Sequence, residues 1–267
     1  MRRRDQGDTA VGVLSRPRRR DVLVVFGCAA LRGFVALCLR GLGAQQLLLA
    51  VLWGGAFVPQ AWGQAQPLLG VITYMPNLAL GLGLSDYVSR SLAQDASCVL
   101  PRMGRARWMG QRCLRAWAAA YIYEALSCSL VAAVSCLEPT VGPRVGSLGM
   151  GCLWTVALEG TLLGALVLWC NLVAVRTDAM VGFAAVWGLH LGILALAGTG
   201  FGTVAEAAWA WAPSCRGLVA WHSSLGWLWG TEGMAGANPW VSVLVLGLAA
   251  ACAMAVLIRG FGITDVM

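Results

Sequence analysis

An all-α, polytopic membrane protein is the fold class that this sequence predicts, and three observations carry it. Of 267 residues, 59% are hydrophobic and only 12% are charged, where soluble domains carry about a quarter charged residues. Uncharged runs rich in Leu, Val, Ala, Gly and Trp recur from Val22 to the C-terminus. Helical spans of about 20 residues each use up most of such a chain, so what remains is loops and one tail.

The elements follow in order. Residues 1–20 form a basic tail holding seven of the arginines, expected in the cytoplasm. Residues 21–43 are expected to form an interfacial amphipathic helix, an elbow lying in the membrane plane. The apolar run 22–39 carries Arg32 near its middle, which would cost about 3 kcal/mol at a bilayer centre. On a helix, Asp21, Arg32 and Arg40 fall on one side with Ala29, Gly33 and Ala36, and Leu, Val and Phe fill the rest. Residues 44–267 then form a domain of six transmembrane helices, centred on the apolar runs 45–61, 68–84, 117–137, 150–173, 180–197 and 240–258.

Charge sets the orientation. With six spans and both termini inside, the cytoplasm receives the tail arginines, six more between 90 and 115, Arg176 and Arg259, while Arg144 and Arg216 lie outside. A seventh span would put either the tail or the 90–115 loop on the wrong side. A second arrangement keeps this parity: residues 22–39 become the first span, and 45–61, with Pro59, a re-entrant outer segment. Arg19-Arg20-Asp21-Val22-Leu23 ahead of an apolar run also has the look of a twin-arginine signal. Arg32 interrupts that run and no soluble domain follows.

Several chemistries are excluded by residue type. All 19 basic residues are arginine, so no P-loop lysine and no Schiff-base lysine exists. Nucleotide hydrolysis that powers this protein must come from another chain. His190 and His222 are the two imidazoles, with no HExxH pattern, and neither a metal site nor a cofactor is expected. Ten cysteines, none in a CxxC pair and mostly inside apolar runs, read as small buried hydrophobes. Arginines at membrane boundaries fit lipid headgroups, and no nucleic-acid partner is expected.

Within the spans, Glu124 and Glu159 are the costliest residues, because a carboxylate in hydrocarbon must be neutral, partnered or facing water. Tyr121, Ser127 and Cys128 share the face of Glu124. The two glutamates form a candidate transport pathway or, equally, a polar clasp between helices; His190 is a further candidate for that pathway, against a reading as a satisfied packing residue. Gly160 and Gly164, Gly188 and Gly192, and Gly247 with Ala251 and Ala255 are small residues spaced for close helix contact. The outer segment 199–238 contains Trp209, Trp211, Trp221, Trp227 and Trp229, too aromatic for a freely solvated loop. Pro213, Gly217, Gly226 and Gly230 would break it into short re-entrant helices.

The order of elements resembles that of an ABC-2 type transporter permease, the membrane subunit of a bacterial ABC transporter. Three places carry the resemblance. Leu100-Pro101-Arg102-Met103-Gly104-Arg105-Ala106-Arg107-Trp108 is similar to the stretch before the third span of such permeases. The ending Arg259-Gly260-Phe261-Gly262-Ile263-Thr264-Asp265-Val266-Met267 resembles their short basic tail, with Thr264 where a basic residue is usual and Val266 where Ile is usual. The Trp-rich outer segment matches the place of their re-entrant helices.

The resemblance implies a permease, an exporter, in the bacterial plasma membrane. It implies a dimer with a second permease subunit, the same or different, coupled to a separate ABC ATPase. The chain would itself be non-catalytic, and Arg102, Arg105, Arg107 and Trp108 would form the ATPase-contact loop. Two other classes stay open at this point. One is an ion-coupled carrier using Glu124 and Glu159; the other is an intramembrane hydrolase pairing Ser147 with His190.

Overall fold

The computed structural model describes residues 19–41, 67–95, 104–137, 145–198, 212–222, 224–225 and 238–263. Among the described residues all regular structure is helical: α1 (Arg19–Gly41), α2 (Pro67–Leu84), α3 (Tyr87–Asp95), α4 (Arg105–Cys136), α5 (Val145–Ala174), α6 (Ala179–Gly198), α7 (Pro213–Arg216), a 3-10 turn at Val219–Trp221, and α8 (Pro239–Ile263). Helices are the economical answer for an apolar chain, because each backbone donor and acceptor is satisfied inside its own segment. Five of them, α1, α4, α5, α6 and α8, are long and apolar enough to cross a membrane.

The long helices run up and down in a bundle. Neighbour contacts fix the directions: Val24 on α1 meets Gly83 on α2, Tyr121 on α4 meets Thr161 on α5, and Trp108 on α4 stacks on Phe261 of α8. The 18-residue α2, with Pro76 inside it, lies among the longer helices against α1, α5 and α6. α4 and α5 form the most extensive pair. Their closeness depends on the Gly160 and Gly164 faces, where a Cβ on Gly164 would collide with the Trp117 ring and one on Gly160 would press on Tyr121. The other small pairs do not act this way, since Gly188, Gly192 and Gly247 have nothing within 4 Å of an added Cβ.

Two boundaries differ from the sequence reading. Residues 90–115, expected as a loop, are largely helical among the described residues. α4 starts at Arg105, three turns before its apolar stretch, because arginine is a good helix former and no Gly or Pro breaks residues 105–109. At 32 residues it is about 48 Å long, longer than a hydrocarbon core of about 30 Å. The second difference concerns α1. Its elbow assignment rested on the cost of Arg32 in hydrocarbon, yet Arg32 is buried and bonded to two carboxylates, and α1 packs along α4 and α2. α1 thus has the length, composition and packing of a bundle helix. The run 45–61, expected as the first span, lies outside the described residues, as does the tail at 1–18.

Candidate functional site

Arg32 sits mid-way along α1 and points into the bundle. Its Nη1 donates to Glu124 Oε1 and Oε2, both at 2.8 Å, and its Nη2 donates to Glu159 Oε2 at 3.1 Å. Asn77 of α2 donates through Nδ2 to Glu159 Oε1 at 2.6 Å, and the Tyr123 hydroxyl donates to Asn77 Oδ1. Cys128, one turn on from Glu124, adds a weak thiol contact to Glu124 Oε1 at 3.4 Å. Arg32, Asn77, Tyr123, Glu124 and Glu159 are all at most 2% exposed. α1, α2, α4 and α5 are thereby tied at one point by charge-assisted bonds, the strong class of hydrogen bond.

A second buried group adjoins the first. His190 of α6 faces the Ser214 hydroxyl at 2.9 Å through Nδ1 and the Tyr74 hydroxyl at 3.1 Å through Nε2. Trp187 stands edge-on to the His190 ring, 5.6 Å between centroids. Tyr74 lies one turn before Asn77 on α2, so the two groups are neighbours. Ser214 belongs to the segment 212–222, whose Cys215, Leu218, Val219, Trp221 and His222 are all buried. Burial pushes the Cys215 thiol up to about 12, which leaves it an inert hydrophobe at neutral pH.

The end of the bundle that carries the α1 N-terminus holds most of the described arginines, while Arg32 is central and Arg216 lies in the segment 212–222. At the α1 N-terminal end α3, between α2 and α4 in the chain, packs on α4 and α5. Arg90 bonds Asp86 at 2.9 Å and Asp21 of α1 at 3.4 Å. Asp95, at the end of α3, accepts from Trp108 Nε1 at 3.0 Å and from Arg112. Asn171 of α5 clamps the corner. Its Nδ2 donates to the Leu84 and Val167 carbonyls, its Oδ1 accepts from the Val88 amide, and each bond is 2.8 Å. Leu84 ends α2 and Val88 lies in the first turn of α3, so one side chain satisfies groups that two helix ends would otherwise leave unpaired.

The sequence-singled residues divide clearly. Glu124 and Glu159 come together on Arg32, whereas His190 bonds Ser214 and Tyr74 rather than either glutamate. Of the partners expected for Glu124, Cys128 bonds it, whereas Tyr121 bonds Thr161 instead. Arg105 and Arg107 are exposed. Trp108 is not available on that surface: it is 1% exposed, stacked on Phe261 at 5.5 Å and bonded to Asp95. Arg102 lies outside the described residues, as do Trp209, Trp211, Trp227, Trp229 and the tail from Thr264. His190 is engaged by Ser214 on one side and Tyr74 on the other; the Ser147 side chain lies outside what is described.

Arg32, Asn77, Tyr74 and Asn171 were not singled out as site residues. For Arg32 the signal was present, since an intramembrane arginine and two intramembrane glutamates each demand a partner of opposite sign. No protein-family model matches this chain, and no curated protein or solved structure matches it at a significant level.

Proposed function

We propose that the chain is the membrane-spanning permease subunit of an ABC exporter in a bacterial plasma membrane, working as a homo- or heterodimer and driven by a separate ATPase subunit. In this reading α1, α2, α4, α5, α6 and α8 are the six spans, both termini face the cytoplasm, and the buried segment 212–222 is the outer re-entrant element. This is the second of the two arrangements with the same parity, with α1 as first span.

The observation that carries the reading is α3. A short helix fixed between the second and third long helices, on the arginine-bearing end, is what a chain needs if force produced elsewhere is to move its spans. Asn171, Asp95 and Arg90 make that helix stiff, so a push on it is handed to α2, α4 and α5. The exposed Arg105 and Arg107 beside it suit an acidic or carbonyl-rich partner surface. The lack of lysine agrees with nucleotide chemistry on another chain.

The test is purification of the tagged chain from its native membranes in mild detergent, followed by assay for ATP hydrolysis and for a co-eluting polypeptide with a Walker motif. Co-elution that falls when Arg105 and Arg107 are both changed to Glu is the expected result. Concentrative transport by the purified chain with no partner would overturn the reading. It would favour the second one, an ion-coupled carrier, to which the meeting of Glu124 and Glu159 on Arg32 lends support.

A further inference from the structure

Among the described residues the central cluster does not balance. One guanidinium faces two carboxylates, so with all three ionised the group carries a net charge of −1. The charged side chains acting on Glu124 are Arg32 and Glu159. Those acting on Arg32 are the same two glutamates, with Tyr123 and Cys128 adjoining. The remaining titratable neighbours are Tyr74 from α2, Cys152 from α5 and, beyond Tyr74, His190 from α6. Among these, Arg32 is the fixed cation. A buried charge without a counter-charge is strongly unfavourable and is neutralised in practice.

A proton or a small cation could supply the missing positive charge, and the geometry favours the proton. Each of the four carboxylate oxygens already accepts a bond, three from Arg32 and one from Asn77, at 2.6–3.1 Å. A hard cation needs a shell of about six oxygens, which that arrangement does not leave. Among the described residues no group of His, Cys, Asp and Glu is suited to a metal ion. A proton needs one oxygen lone pair and one acceptor. The Asn77 amide can offer its oxygen in place of its nitrogen by a half-turn, because the two ends of the amide are assigned from their bonding alone.

We propose that Glu124 and Glu159 share one exchangeable proton across Arg32. Binding converts one carboxylate to a carboxylic acid, with no other bond made or broken. The pair is a proton site whether the chain is driven by an ATPase or by an ion gradient. The inference therefore does not rest on the permease reading, and its failure would leave ATPase association untouched.

The experiment is infrared spectroscopy of the full chain reconstituted in phospholipid vesicles at neutral pH, reading the carbonyl stretch of a protonated carboxylic acid. The wild type should show this band, shifted by deuterium oxide and by carbon-13 labelling of glutamate. Glu124→Gln and Glu159→Gln should each abolish it, because either leaves one carboxylate balanced by Arg32. Absence of the band, failure of the glutamate label to move it, or its survival in either Gln variant would overturn the shared site. The isotope result needs no variant and decides the matter even if a substitution prevents folding.

Discussion

Replacing Arg32 with Met tests whether the central cluster holds the bundle together. The side chain makes three carboxylate bonds at 2.8–3.1 Å and is 2% exposed. Its loss leaves Glu124 and Glu159 buried beside one another without their cation. Removing one partner of a buried ion pair costs about 3–5 kcal/mol, and here the ionised glutamate loses its cation while both glutamates lose the donors that Arg32 gives them, so the upper part of that range is expected. Glu159→Gln is the contrast, because it keeps the Arg32–Glu124 pair and an amide that still accepts from Arg32; its cost should be about 1 kcal/mol. The triple change Arg32→Met, Glu124→Gln, Glu159→Gln removes every charge together and should regain more than half of the loss. Unfolding by sodium dodecyl sulfate, followed by thiol labelling, reads all three, since Cys28, Cys113, Cys128, Cys170 and Cys215 are buried in the folded chain. An Arg32→Met variant within about 1 kcal/mol of wild type would refute the reasoning, as would a triple variant less stable than the single one.

Two further outcomes follow from the packing. Asn171→Leu leaves the Leu84 carbonyl and the Val88 amide without their side-chain partner; it should cost about 2–3 kcal/mol and speed hydrogen exchange across residues 85–95, whereas unchanged exchange there would show that α3 is held by other means. Gly164→Ala drives a methyl into the Trp117 ring and should cost about 1–3 kcal/mol, most of it relieved by adding Trp117→Leu, and strict additivity of the two changes would show that the sites do not touch.

Much of the architecture was legible because hydropathy and charge act on the whole chain at once. The apolar runs over 68–84, 150–173, 180–197 and 240–258 correspond to α2, α5, α6 and α8, each entered by the structure within a few residues. The 117–137 run found the apolar part of α4 and missed its first three turns, since Arg105, Arg107, Arg112 and Arg115 carry no apolar signal although they propagate a helix well. The reading of α1 failed at a different step. Arg32 was weighed as a solitary charge in lipid, while its real surroundings are Glu124 and Glu159, distant in sequence and adjacent in space. A charge balance over all the intramembrane residues would have proposed that contact.

The site shows the same division. Glu124, Glu159 and His190 stood out because ionisable residues in apolar runs are conspicuous. Asn77, Tyr74 and Asn171 did not, since a neutral polar residue in a helix gives no sign of which neighbour it will bond. Trp108 illustrates the reverse error. The resemblance placed it in the ATPase-contact loop, but only the crossing of α4 and α8 decides that Phe261 covers it.

The account depends most on which side of the membrane the arginine-bearing end faces. A specific protease site inserted after Gly104, at the start of α4, reports this directly when sealed vesicles of known orientation are exposed to the protease. Cleavage in inside-out vesicles with protection in right-side-out vesicles is the expected result, and it would leave α3, Arg105 and Arg107 open to a cytoplasmic ATPase. Cleavage confined to right-side-out vesicles would put that end outside the cell and contradict the account.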